Sequence, residues 1–148
     1  MDVTITTTPE LVLVGHAARV PLIHEGANPH IQAHIASIAP EEHLRLKAMS
    51  DAEPGGILAV TGDVAPDAPE GTELTYLHGV SVSASTVVPD DLDAIRVEAG
   101  AWAVFSASGP FPETLQTLWA ATATEWFPSN PWRLRPGPSI VRLSLIHI

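Results

Sequence analysis

The sequence predicts an α+β domain: two strand–helix–strand–strand repeats forming one antiparallel sheet, helices on one face, and the last strand of the second repeat missing. Three observations predict it. Runs with period-two alternation recur along the chain, as at Val3–Thr7 and Leu74–Val80, and β-branched residues suit a pleated, half-buried surface. Two apolar stripes at helical spacing separate the strands, one through Ile31, Ile35 and Ile38 and one through Leu115, Leu118, Trp119 and Trp126. The resulting order, strand, helix, paired strands, then strand, helix, strand, is that of an antiparallel sheet with segregated helices.

Element by element, Val3–Thr7 and Leu11–Val14 read as strands, the second ending at Gly15. Residues 21–29 are loop, and Asn28-Pro29 signals a helix start, because Asn caps with its side chain and Pro tolerates the first helical position. Pro40 interrupts the helical pattern, and Glu41–Met49 resumes it with acids first and Arg45 and Lys47 later, matching the helix dipole. Glu53-Pro54-Gly55-Gly56 is a turn before a strand over Ile57–Thr61. A Pro/Asp/Gly loop over 62–71 leads to the alternating strand of Leu74, Tyr76, His78 and Val80. After a loop at 89–93, strands follow from Ile95 and from Ala101 to Ala107, with Gly100 at the bend between them. Gly109-Pro110 stops the last of these, a helix opens at Pro112 or Glu113, and the Pro128 to Pro131 region ends it. Ile140–Leu145 is a final run of strand character.

At 148 residues the chain fits one domain, with 45% apolar residues, and the whole of 1–148 is read as that domain. It has no cysteine, which excludes disulfides and thiolate zinc sites. The net charge is −10 with seven Lys plus Arg; phosphate backbones are bound by clustered cations, so direct nucleic-acid binding is excluded as an expectation. The acidity serves solubility or, alternatively, attracts a cationic ligand. No basic stretch precedes a long apolar run, and no window reaches the roughly 20 apolar residues of a membrane span. A cytoplasmic location is the expectation, with no membrane partner and no cofactor.

Several stretches fall into a further pattern. Tyr76-Leu77-His78-Gly79-Val80-Ser81-Val82 ends the first unit, and Gly100-Ala101-Trp102-Ala103-Val104-Phe105 with Gly109-Pro110 opens the second. Leu118-Trp119, then Glu125-Trp126-Phe127-Pro128-Ser129-Asn130-Pro131-Trp132, then Pro138-Ser139-Ile140-Val141-Arg142 complete it. In order and spacing these resemble the GyrI-like small-molecule-binding domain, also called the bacterial transcription-activator effector-binding domain, best from about Leu74 to Arg142. The resemblance implies one sheet whose concave face holds drug-like, often cationic ligands, in a domain that occurs alone or fused to DNA-binding modules. It implies a stand-alone sensor or sequestering protein, or the effector domain of a transcription regulator. Some relatives hydrolyse small reactive compounds with a groove carboxylate, and the family name implies a protein partner such as gyrase; these are the alternatives. The chain departs from the pattern at Ser139 and Val141, where relatives often carry acids. Residues 143–148 look unlike the family and read as a non-native tail after a truncated frame, so the acid-bearing final strand is expected to be missing.

The candidate ligand-binding residues are Tyr76, His78, Trp102, Glu73, Glu98 and Trp119. Tyr76 and His78 share one side of their strand by alternation, and Tyr76 with Trp102 would wall a groove for a flat or cationic ligand. Aromatic residues at apolar spacing are also what a core needs, and that reading stands beside the first, above all for Trp119 and Trp126. Glu73 and Glu98 stand beside those strands as charge for a cation or as solvated strand-end carboxylates. His30 and His34, four apart on one helix, have the spacing of paired metal ligands, with His24 and His43 nearby; no metal site is expected from them. Ser106, Ser108, His16 and Asp93 supply the types of a triad without any elbow motif, and no Gly-rich phosphate loop is present. No catalytic residue is assigned.

Overall fold

The structure is a computed structural model, described for residues 2–23, 28–65, 67–110, 113–130, 135 and 137–142. In chain order the elements are β1 (Asp2–Thr8), β2 (Leu11–Pro21), α1 (Pro29–Ser37), α2 (Pro40–Met49), β3 (Leu58–Gly62), β4 (Glu73–Ser83), β5 (Asp93–Val97), β6 (Gly100–Ser106), α3 (Glu113–Ala121) and β7 (Ser139–Val141). The class is α+β, and every strand pairing is antiparallel.

The starts of α1 and α2 follow from local chemistry. The Asn28 side-chain oxygen accepts from the backbone N–H groups of His30 and Ile31 at 2.9 and 3.3 Å, satisfying donors that a first turn leaves without partners. Pro29 sits at the first position of α1, and Pro40 does the same for α2. Because Pro40 cannot donate to the preceding turn, α1 and α2 are separate helices.

The strands form two hydrogen-bonded sheets, where a single one is predicted: a five-stranded sheet in the order β5-β2-β4-β3-β7, and a ribbon of β1 with β6. The ribbon nonetheless continues the β2–β5 ladder. Thr8 faces Gly100 and Leu11 faces Val97, so two residues lie between the pairs on each strand and the register is unchanged across the break. The break falls at Pro9-Glu10 opposite Glu98-Ala99; Pro9 has no N–H to continue the ladder. One long strand pair thus turns a corner.

The five-stranded sheet is buried on both faces. On one, Val12, Val14, Val80 and Val82 pack on Leu46 of α2, and Val20, Leu74 and Tyr76 pack on Ile31 and Ile35 of α1. On the other, Leu11, Leu13, Leu58, Val60, Leu77 and Val97 form a second cluster, joined by Ile95, Trp102 and Ile140. Full burial of each such Leu or Val contributes about 1.5–3 kcal/mol, so this second face is core, where an open concave trough is implied by the resemblance. At the centre, Gly15 and Gly79 are cross-strand partners. A Cβ on either would run into the opposite backbone, so the two strands close only without side chains there.

The helix following β6 ends at Ser129, within the stretch predicted to end it. It widens into a π-helical stretch (Thr122–Trp126) and ends in an α-helical turn (Phe127–Ser129). Pro128 lacks an N–H and its ring would crowd the carbonyl four residues back, and a wider turn accommodates both. Trp126 packs edge-on against Phe105 of β6 with ring centroids 5.1 Å apart. Trp119 is 51% exposed, so its core reading fails. Of the final predicted strand, Ser139–Val141 pairs with β3 at the sheet edge, and residues 143–148 lie outside the described residues.

Candidate functional site

The predicted site residues divide between places the fold keeps apart. Tyr76 and His78 point to the same side of β4, as predicted, but that side is the one covered by α1 and α2, and the two residues are 2% and 7% exposed. Tyr76 meets the His34 ring of α1 edge-on at 5.9 Å. Burial raises its hydroxyl pKa to about 12. The predicted wall of Tyr76 with Trp102 does not form, because Trp102 packs into the cluster on the opposite face of the sheet.

His78 belongs to a histidine cluster where β2, β4, α1 and α2 meet. Its Nε2 lies 2.9 Å from His43 Nδ1 of α2, and His16 is its cross-strand partner on β2. His34 Nε2 bonds the His16 carbonyl at 2.8 Å, and His16 Nε2 bonds Glu42 at 2.9 Å. Desolvation, with the neighbouring histidines adding to it, pushes His78 down to about 4. Glu42 is lowered first by the His16 hydrogen bond. Arg45 links Glu42 to Asp91, gripping both Asp91 oxygens at 2.7 and 2.9 Å and holding that carboxyl at about 2. The imidazoles and carboxylates thereby satisfy one another, gluing helices to sheet. His30 is exposed and not paired with His34, His24 lies outside the described residues, and among the described residues no group of three His, Asp or Glu is placed to hold a metal. The triad types do not assemble: Asp93 accepts from the Ala17 N–H, and His16 turns to Glu42.

On the second face, the corner sets Trp102. Strict alternation would send it away from the side of Val97; the turn at Glu98-Ala99 brings it back against the cluster that contains Val97. Its Nε1–H donates to Thr8 Oγ1 at 3.0 Å. The Arg135 guanidinium carbon lies 5.3 Å from the Trp102 ring centroid, within cation–π range. Arg135 Nη1 donates to the Glu98 carbonyl at 3.2 Å. Gly100 leaves the space for it, since a Cβ there would stand 2.7 Å from Nη1. Arg135 Nη2 is buried and has no hydrogen-bond partner among the described residues. Arg135 is not among the residues the sequence singles out, because a cation 33 residues from Trp102 in a Pro-rich run gives no periodic signal.

The remaining predicted residues are peripheral. Glu73 is exposed at the end of β4 and lies 3.8 Å from Arg19 Nε. The Glu98 side chain is exposed at the corner. A shallow cleft of about 440 Å³ runs along α3, walled by Ala107, Glu113, Thr114, Leu118, Ala121 and Glu125, and Trp119 is not in its wall.

The fold is thus an antiparallel sheet with α1 and α2 on one face and an intramolecular cation–π contact beside the other. The chain belongs to the family described as the GyrI-like small molecule binding domain, whose profile matches residues 1–144. No curated protein sequence matches it. Among solved structures it is similar to a candidate bacterial transcription regulation protein from Staphylococcus aureus MU50, at 19% identity and TM-score 0.62, over 95% of this chain and 84% of that one. It is also similar to SAV2435 bound to tetraphenylphosphonium, at 19% identity and TM-score 0.64, over 95% of this chain and 81% of that one. At this identity the two structures share the fold. Among the described residues no helix is long and apolar enough to cross a membrane.

Proposed function

We propose that this domain binds apolar organic cations, with Trp102 as the aromatic contact. The observation that carries the reading is the guanidinium 5.3 Å from the Trp102 centroid: the ring face already accepts a delocalised cation, where an indole quadrupole contributes about 0.5–2 kcal/mol. The net charge of −10 favours the approach of a cation over an anion, and the Glu98 carboxylate beside the corner supplies a local counter-charge. A structural relative described as bound to tetraphenylphosphonium supports the same ligand chemistry. In this reading the domain is a bacterial, cytoplasmic sensor or sequestering unit for multiple drug-like cations, or the effector domain of a transcription regulator.

Isothermal titration of the full chain with tetraphenylphosphonium tests it. Micromolar affinity that weakens in Trp102→Leu is the expected result. Flat titrations across a panel of lipophilic cations would remove the reading.

A further inference from the structure

We infer that Arg135 is an internal occupant of the cation site: its guanidinium rests on the Trp102 ring in the free protein, and an incoming organic cation takes its place. The inference rests on the proposed function and adds to it the residue that ligand must displace.

Four observations place Arg135 there as a guest. Its guanidinium lies over the indole at 5.3 Å, the geometry an aryl or alkyl cation would take. Among the described residues its polar anchor is one backbone carbonyl, that of Glu98, at 3.2 Å. Its Nη2 is buried with no hydrogen-bond partner among the described residues, which leaves a charged donor desolvated. Finally, the space it fills is open because residue 100 is glycine. The ion pairs of Arg45 on α2 are different in kind: Arg45 holds both oxygens of Asp91 and both oxygens of Glu42. Arg45 is built to stay; Arg135, lacking any carboxylate partner among the described residues, returns to water with its last nitrogen solvated when it leaves.

The consequence for ligand chemistry is definite. A ligand gains by exchange only if it offers the ring a positive charge without the hydrogen bonds that Arg135 leaves unmet. Quaternary phosphonium or ammonium ions with aryl or alkyl groups fit that description, and guanidinium- or ammonium-bearing polar metabolites do not.

The test is titration of tetraphenylphosphonium into the full-length wild type, Arg135→Ala, Arg135→Lys and Trp102→Leu, with the Trp102 indole N–H followed by heteronuclear NMR. Removing the internal competitor is expected to tighten binding in Arg135→Ala by about two- to fivefold, the worth of one exposed cation–π contact. Arg135→Lys stays near the wild type, and Trp102→Leu loses affinity whichever residue stands at 135. The indole signal in free Arg135→Ala shifts, and addition of the cation moves it again. Because a misfolded variant binds worse, tightening cannot come from structural damage, and Arg135→Gln provides a second neutral replacement. If the wild type binds and both neutral variants bind equally or more weakly, the displacement inference is overturned while the binding reading stands. If neither the wild type nor the neutral variants bind, both are overturned.

Discussion

His78 on β4 and His43 on α2 are joined nitrogen to nitrogen at 2.9 Å, beneath the junction of the two helices. The bond requires one imidazole to donate and the other to accept, so it is complete when both rings are neutral. His78 is 7% exposed and its pKa is lowered to about 4 from an ordinary 6.5, by desolvation first and then by His43, His34 and His16. The unfolded chain therefore binds a proton that the folded chain refuses between those two values. Stability from this group is fully present above about pH 6.5 and is lost as pH falls towards 4, by at most about 3 kcal/mol. Urea midpoints measured at pH 7.5 and 5 should differ accordingly, and His78→Gln should flatten that difference. Equal pH slopes in the two proteins would exclude His78 as the cause.

Tyr76 and Trp102 separate stability from binding. Tyr76→Leu, emptying part of the α1 core, is expected to cost about 2–4 kcal/mol and to leave tetraphenylphosphonium affinity within twofold in protein that remains folded. Trp102→Leu is expected to lower affinity. A large affinity loss in folded Tyr76→Leu protein, read by titration with folding checked by circular dichroism, would return Tyr76 to the binding wall.

Gly79→Ala places a Cβ against the Val14 backbone at the closest approach of β2 and β4. Backbone must move there, so the expected loss is about 3 kcal/mol or more, visible as a collapsed melting transition. Gly55→Ala meets nothing within 4 Å and has no left-handed φ; it should be neutral or slightly stabilising. The contrast between the two is the measurement.

Thr8→Val removes the acceptor of the Trp102 indole N–H at nearly constant shape. The expected cost is about 1 kcal/mol, accompanied by a shift of the Trp102 indole resonance. An unmoved resonance would show that Thr8 does not position the ring.

Features written by neighbouring residues were legible in the sequence. Asn28-Pro29 opens α1 because the cap is a contact across two or three residues, and the alternation of Leu74, Tyr76, His78 and Val80 does place them on one side of a strand. The family, too, is the one that the motifs from Tyr76 to Arg142 resemble. What alternation does not reveal is which side another strand presents after a corner, and so Tyr76 and Trp102, one wall by the sequence, lie on opposite faces. Helical spacing likewise marks a stripe without saying whether anything covers it, and Trp119 is left half in water. Arg135 was invisible because a cation–π contact between distant segments has no period and no motif.

The unbroken register across Pro9-Glu10 and Glu98-Ala99 has one more outcome. A residue inserted on one side of the corner alone would slide the whole ribbon by one place against its mate and swap which side chains look inward. Trp102 would then turn outwards and lose Thr8, however well the five-stranded sheet survived. Length changes at the corner therefore preserve the facing of Trp102 only where both strands gain the same even number of residues, which makes the elbow a counting device for the aromatic ring it carries.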